Sequence, residues 1–237
     1  MPGHGYDYIV SLDAGNSRGI EQAVLSRFPI TGTKQWVNAD LGGVHPEKYG
    51  DKPNYYAGQP ILLRRSPLLV DLEISGSGDA PYTLTLIVVH HKSGRYSGYW
   101  REAESRFLIE RIAELKADDP GRNIAVLGDF NAQIEEDSMQ TYLDAGLIDA
   151  VLVGVAGGVG VVGVADHDVS QASHESGRRI DFILVTPSLS AEIITGSGFV
   201  LGTPARPKNA DWRTAPKPEG YISDHYPVVM DLTPQDQ

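Results

Sequence analysis

The sequence predicts an α+β or layered mixed-sheet fold rather than a Rossmann-type one. Strand-like apolar segments recur along the chain, only two stretches carry helical spacing, and the two kinds do not alternate strictly. No internal repeat, Pro-rich linker or charge run divides the 237 residues, so residues 1–237 read as one domain.

Taken in order, the chain enters at Tyr6-Asp7-Tyr8-Ile9-Val10, and Gln22 to Ser26 is a short strand bounded by Arg18-Gly19 and Arg27-Phe28-Pro29. Leu68, Val70, Leu72 and Ile74 alternate with Asp71 and Glu73, which suits a strand with one wet face. Tyr82 to Val89 begins by alternating and ends as a continuous apolar run, as a strand does on passing from a sheet margin into the core. Trp100, Ala103, Phe107, Leu108, Ile112 and Leu115 share one helical face, and Glu102 and Arg106 form an i,i+4 pair on the other. Asp118-Asp119-Pro120-Gly121 is a turn, Ile124 to Leu127 a buried strand, and Glu136 to Leu143 a short helix closed by Gly146. Ile180 to Val185 and Tyr226 to Leu232 complete the strands. Thr31 to Pro60, Val153 to Gly177 and Leu201 to Ile222 read as long loops, where specificity commonly resides. Within the middle one, Val151 to Val164 is nearly all Val, Gly and Ala: a strand–turn–strand excursion, or a lipid-contacting loop.

Composition excludes several classes. Hydrophobic residues make up 41% of the chain, ample for a core, while no apolar run approaches the length of a membrane span. With no cysteine there is no disulfide, thiolate metal site or cysteine nucleophile. Met1 is not followed by a basic and then apolar stretch, so no signal peptide is visible, and the compartment stays open. A net charge of −11 argues against a broad basic face for nucleic acid, although a carboxylate cluster built for a divalent cation also makes a chain acidic.

Four segments carry chemistry. Gly128-Asp129-Phe130-Asn131 follows a buried strand; glycine permits close backbone approach, Phe130 anchors the turn, and Asp129 and Asn131 at i,i+2 point the same way. An acid beside an amide positions a water and donates to a phosphoryl oxygen, though the same residues are common turn formers. Ser223-Asp224-His225-Tyr226-Pro227 precedes the last strand, with Asp224 suited to a metal and His225 to a general base. Asp181 lies in an otherwise apolar strand and needs a partner there: a histidine it would orient, or Arg178 or Arg179. His90 sits at the exit of Val88-Val89-His90-His91-Lys92-Ser93.

Together these segments resemble the endonuclease/exonuclease/phosphatase superfamily with its pancreatic-deoxyribonuclease-like fold. The blocks stand in family order: Arg18-Gly19-Ile20 with Leu25-Ser26-Arg27-Phe28-Pro29-Ile30, then Val89-His90-His91-Lys92-Ser93, then Arg101-Glu102-Ala103. Gly-Asp-Phe-Asn, Arg179-Ile180-Asp181-Phe182-Ile183 and Ser-Asp-His-Tyr-Pro follow, so the likeness runs from about Gly15 to Leu232. The resemblance implies a four-layer α/β/β/α sandwich of two packed mixed sheets. It implies that Asp129 orients the attacking water, Asn131 stabilises the transition state, and Asp181 holds His225 as an acid/base or phosphate-contacting group. It implies further that His90 contacts the phosphate or assists the leaving group, and that Asp224 binds a cation, Mg²⁺ with Mn²⁺ or Ca²⁺ as alternatives. The implied reaction is metal-dependent, in-line hydrolysis of a phosphoester in a nucleic acid, a phospholipid headgroup or a small molecule.

One departure stands against this. Family members usually open with a strand ending in Asn and, after a helix, a strand ending in a metal-binding Glu, and neither precedes Tyr6. Such a strand–helix–strand unit takes roughly 30 residues. A late start codon or fragment, an engineered truncation and a natural minimal variant all account for this, a fragment or mis-start fitting best; taken literally, the chain would have weak or no activity and exposed sheet edges. A catalytically impaired binding or scaffold protein therefore stays open as the rival reading. Outside the core site, Lys52, Arg206, Lys208, Arg213 and Lys217 are the candidate phosphate contacts. Oligomeric state is not legible.

Overall fold

The structure is a computed structural model and describes residues 5–75, 81–154, 172–207, 210–211 and 213–234. In chain order the strands are β1 (Tyr8–Leu12), β2 (Gln22–Ser26), β3 (Ile30–Gln35), β4 (Asp40–Val44), β5 (Lys48–Tyr49), β6 (Lys52–Pro53) and β7 (Pro60–Leu62). They continue with β8 (Leu68–Ile74), β9 (Tyr82–His90), β10 (Asn123–Asp129), β11 (Ile148–Asp149), β12 (Asp181–Val185), β13 (Phe199–Val200) and β14 (Val228–Val229). The helices are α1 (Gly98–Asp118), α2 (Asp137–Asp144) and α3 (Pro187–Ser190).

Six strands form a mixed sheet in the order β11-β12-β10-β9-β8-β3. Its one parallel pair is β9–β10, joined by α1 as a crossover; every other neighbour is antiparallel. The period-2 pattern of a strand then divides the apolar side chains between two faces. Leu69, Ile87, Val89, Ile124, Val126, Phe182 and Leu184 meet Leu108 and Ile112 of α1 and Met139 and Tyr142 of α2. Leu68, Val70, Leu72, Leu84, Ala125, Ile183 and Val185 face the other way, against Val24 of β2 and the partly buried Val10 and Val228. Here the ribbons β1–β2 and β13–β14 supply the second β-layer, and Leu189 of α3 closes it. The result is the layered sandwich expected from the sequence.

Two expectations need correction. Thr31 to Pro60 is not a loop: it holds most of β3, then β4, β5 and β6 and the first residue of β7. These strands are short, polar or Gly-rich, with Gly42 and Gly43 at positive φ, so they lack the apolar alternation that announces a strand. Tyr226 to Leu232 is not a continuous strand either. Only Val228–Val229 pairs, with β13, while His225 and Leu232 make isolated bridges to His174 and Ile193. Pro227 has no N–H to give a ladder, and its carbonyl accepts instead from the Leu201 N–H at 2.8 Å. Residues 201–222 are free of helix and strand where described. Of the Val/Gly/Ala stretch, residues 155–164 lie outside the described residues. No helix among the described residues is long and apolar enough to cross a membrane.

Candidate active site

Because β9 and β10 are parallel, their C-terminal ends reach the same sheet edge, and antiparallel β12 begins there. Register does the rest: His90 pairs with Asp129, and Asp129 with Asp181, so one row across three strands carries an imidazole and two carboxylates. His90 Nε2 lies 3.5 Å from Asp129 Oδ2. The fourth member comes from the far end of the chain. Residues 173–175 and 224–226 run alongside each other, the Glu175 N–H donating to the Asp224 carbonyl at 2.9 Å and the Tyr226 N–H to the Ser173 carbonyl at 2.7 Å. This seats His225 with Nδ1 3.0 Å from both oxygens of Asp181. Asp181 thus takes the histidine, not an arginine, as its partner; Arg179 pairs with Asp149 at 2.8 Å and Arg178 donates to Ser176 Oγ.

Gly128 and Asn131 acquire their roles from the backbone. Gly128 has φ 131°, and a Cβ there would sit 2.2 Å from the Val89 carbonyl oxygen. The close approach the glycine allows is therefore to β9, not to a ligand. Asn131 does meet Asp129, but by a turn rather than by strand alternation. The strand ends at Asp129, and Asn131 adopts φ 50°, a left-handed conformation uncommon outside glycine. Its N–H donates to Asp129 Oδ1 at 2.7 Å, and its Nδ2 donates to Asp129 Oδ2 at 2.8 Å and to the His91 carbonyl at 3.1 Å. Phe130, fully buried, packs edge-on to His91, Tyr142 and Phe182 and pins the turn.

The electrostatics follow from burial and row geometry. Burial, with the Asp181 charge next, raises the Asp129 carboxyl to about 6, against the pull of the Asn131 N–H. His225 is raised, chiefly by its hydrogen bond to Asp181. His90 is lowered to about 4 by burial and then by the positive charges of Arg65, His225 and Arg18. At neutral pH the row therefore holds an ionised Asp129, a neutral His90 and a His225 biased towards its protonated form.

Several participants carry no motif. Ser173 donates to Asp181 Oδ2 at 2.7 Å while its Oγ accepts from the Ile180 and Asp181 N–H groups. His174 stands edge-on to His225, ring centres 4.7 Å apart, with Nε2 3.6 Å from Asp224 Oδ2. Buried Arg65 donates to the His91 carbonyl at 2.9 Å and to Ser93 Oγ at 3.2 Å. Below them, His91, Glu104 and Tyr142 form a buried polar chain: Glu104 Oε2 is 3.3 Å from His91 Nδ1, and His91 Nε2 is 2.9 Å from the Tyr142 hydroxyl. Glu104 is one helical position past the visible Arg-Glu-Ala block, and only its distance from water sets it apart. Among the expected phosphate contacts, Arg206 is committed to Glu175 at 2.6 Å and Lys217 lies over Tyr221. Arg213 lines the cleft, Lys52 is exposed on β6, and Lys208 lies outside the described residues.

Among the described residues, two groups of ligand atoms, each within 4.8 Å, could hold a cation: Asp129, Asp181 and His225, and His174, Asp224 and His225. The donor set suits a hard cation. Asp224 is 40% exposed beside the cleft with a carboxylate that accepts no hydrogen bond among the described residues, and the repulsion between Asp129 and Asp181 is of the kind a cation relieves. Mg²⁺ is typically held by one or two carboxylates, its remaining positions going to water and substrate phosphate.

The layered sandwich thus brings the acid–imidazole row and its carboxylates to one sheet edge. The chain belongs to the endonuclease/exonuclease/phosphatase family, whose model matches residues 2–225. Among solved structures it is similar to the catalytic domain of human nocturnin with bound sulfate, at 14% identity and TM-score 0.62 over 95% of this chain and 72% of that one. It is also similar to a truncated Caenorhabditis elegans TDP2, at 16% identity and TM-score 0.54 over 93% and 73% of the two chains. A mannosyl-6-phosphatase of Bacteroides thetaiotaomicron matches at 16% identity and TM-score 0.52, over 97% of this chain and 78% of that one. No curated protein sequence gives a significant match.

Proposed function

We propose that the protein hydrolyses a phosphoester by direct in-line attack of water, without a covalent enzyme intermediate. The observation that carries this reading is the single cross-strand row His90–Asp129–Asp181, completed by His225 at 3.0 Å from Asp181. Family membership supplies the phosphoester; the row supplies the proton inventory.

In this reading Asp129 accepts a proton from the attacking water as the new P–O bond forms. Its oxygens are aimed by the Asn131 N–H and side-chain amide, and rotating that amide away from Asp129 Oδ2 frees one N–H for a phosphoryl oxygen. As the bond to the leaving oxygen breaks, His225, whose protonated form is favoured by its hydrogen bond to Asp181, supplies the proton that oxygen needs. His90, neutral at pH 7, offers a hydrogen bond to the phosphate without adding charge. Asp224 with His174 would hold a divalent cation, Mg²⁺ first and Mn²⁺ or Ca²⁺ as alternatives. When bound, the ion neutralises non-bridging phosphate oxygens.

The test is hydrolysis of bis-p-nitrophenyl phosphate with Mg²⁺, Mn²⁺ or Ca²⁺, compared with Asp129→Asn and His225→Ala. Both substitutions should lower kcat by roughly 10²–10⁴-fold. Turnover that ignores both would remove this row from the reaction. No turnover with any of the three ions would favour a binding role for the retained fold.

A further inference from the structure

On an acidic chain of net charge −11, the cleft at the active-site edge is lined by cations. It has a volume of about 800 Å³, and its wall includes Asn131, His174 and His225 together with Arg95, Arg178 and Arg213. Glu136, the one carboxylate in the wall among the described residues, is already neutralised by Arg101 at 2.6 Å. Arg95, on the loop after β9, and Arg178, leading into β12, are both exposed and face no carboxylate partner among the described residues. Arg178 spends only its Nε, on Ser176 Oγ at 3.0 Å, and Arg95 is steadied over the Tyr96 ring at 5.6 Å.

These arginines are not the ones that serve the catalytic row. The positive charges acting on His90 are those of Arg65, then His225 and Arg18, whereas Arg178 acts on His174.

We propose that the cleft contains a second anion subsite, built by Arg95 and Arg178 in its wall, and that the substrate is a small phosphoester carrying a second phosphate group. This rests on the hydrolytic reading above. Guanidinium groups with unspent N–H donors are suited to phosphate oxygens, each contact being charge-assisted. The volume matches a small-molecule site. A long polyanion would have to run from this cleft onto a surface of net negative charge, which opposes binding that depends on many phosphate contacts.

Propyl phosphate and propane-1,3-diol bisphosphate, which differ only in the second phosphate, provide the test with Mg²⁺ present. The wild-type protein should favour the bisphosphate in kcat/KM by roughly tenfold to a hundredfold. In the Arg95→Gln/Arg178→Gln double variant this ratio should fall to about one. Equal use of the two compounds by wild type, or a preference that survives in the double variant, overturns the subsite. A trinucleotide preferred to the bisphosphate overturns the small-substrate assignment. If neither compound is hydrolysed, the reaction assigned above fails, and calorimetric titration of both compounds into both proteins judges the subsite alone. Tighter binding of the bisphosphate that the double variant loses supports it, and equal binding overturns it.

Discussion

Asp129 and Asp181 are cross-strand partners on β10 and β12, so the sheet's own register forces two carboxylates side by side at one end of the sheet. Their repulsion, added to burial, is why Asp129 titrates near 6, while Asp181 turns its charge to the His225 imidazole. One strand pairing thereby sets the protonation of both a base and an acid.

The first prediction concerns pH. The reactive form of Asp129 is the carboxylate, so kcat should rise as pH climbs through about 6. Replacing Asp181 by Asn removes the neighbouring charge and should move that rise to lower pH. The same change deprives His225 of its partner, so kcat at the plateau should drop as well. An acid limb that stays in place would show that Asp129 is not the titrating base.

A second prediction addresses Gly128. Any side chain there meets the Val89 carbonyl at 2.2 Å with φ fixed at 131°, so the backbones of β9 and β10 must separate. Gly128→Ala should cost on the order of 3 kcal/mol in urea unfolding. It should also disturb the spacing of His90 and Asp129, which that pairing sets.

The buried Glu104–His91 contact yields a third, with its sign worked out. Burial keeps His91 neutral, lowered to about 3, and raises Glu104 to about 7. Between about 3 and 6.5 the unfolded chain binds a proton at His91 that the native state refuses, so this contribution is lost as pH falls. Between 4.5 and about 7 the native state keeps a proton on Glu104 that the unfolded chain releases, so this one is lost as pH rises. Glu104→Gln removes only the second slope. Wild type should therefore lose stability relative to this variant as pH goes from 4.5 to about 7, measured by urea unfolding across that range. Glu104→Ala should cost about 2–3 kcal/mol near pH 4.5, because it strands the Lys92 N–H and the His91 ring, and the cost should shrink as pH rises towards 7.

Cation binding gives the fourth. If Asp224 is a ligand, Mg²⁺ should raise the melting temperature of wild type, by the equivalent of about 2.7 kcal/mol at a hundred times its Kd. Asp224→Asn should abolish or sharply reduce that shift, and a chelator should remove both the shift and the activity. Equal shifts in the two proteins would place the ion elsewhere.

The sequence by itself went far on the central sheet. The limits of β2 and β8 agree with the structure, and those of β9, β10, β12 and the two longer helices differ by a few residues at most, because buried strands and amphipathic helices write their periodicity into apolar residues. Where β3 to β7 are short and polar, that signal is missing, and they read as loop. The candidate residues His90, Asp129, Asn131, Asp181 and His225 were all visible in motifs, and the structure brings them to one edge, although Asn131 arrives by a left-handed turn that no spacing rule predicts.

What only the tertiary structure decided is who faces whom. The residues alone left Asp181 a histidine or Arg178 or Arg179 as partner, and only the family resemblance implied His225; the pairing itself spans 44 positions and depends on residues 173–175 bridging to 224–226. The sequence showed an acidic chain but not a cationic cleft, because net charge sums over the whole surface while a ligand feels only the groups lining its pocket. Chemistry-bearing residue types are local facts of the chain; their fields, partners and protonation states are set by contacts between distant segments, and those exist only once the sheet has closed its register.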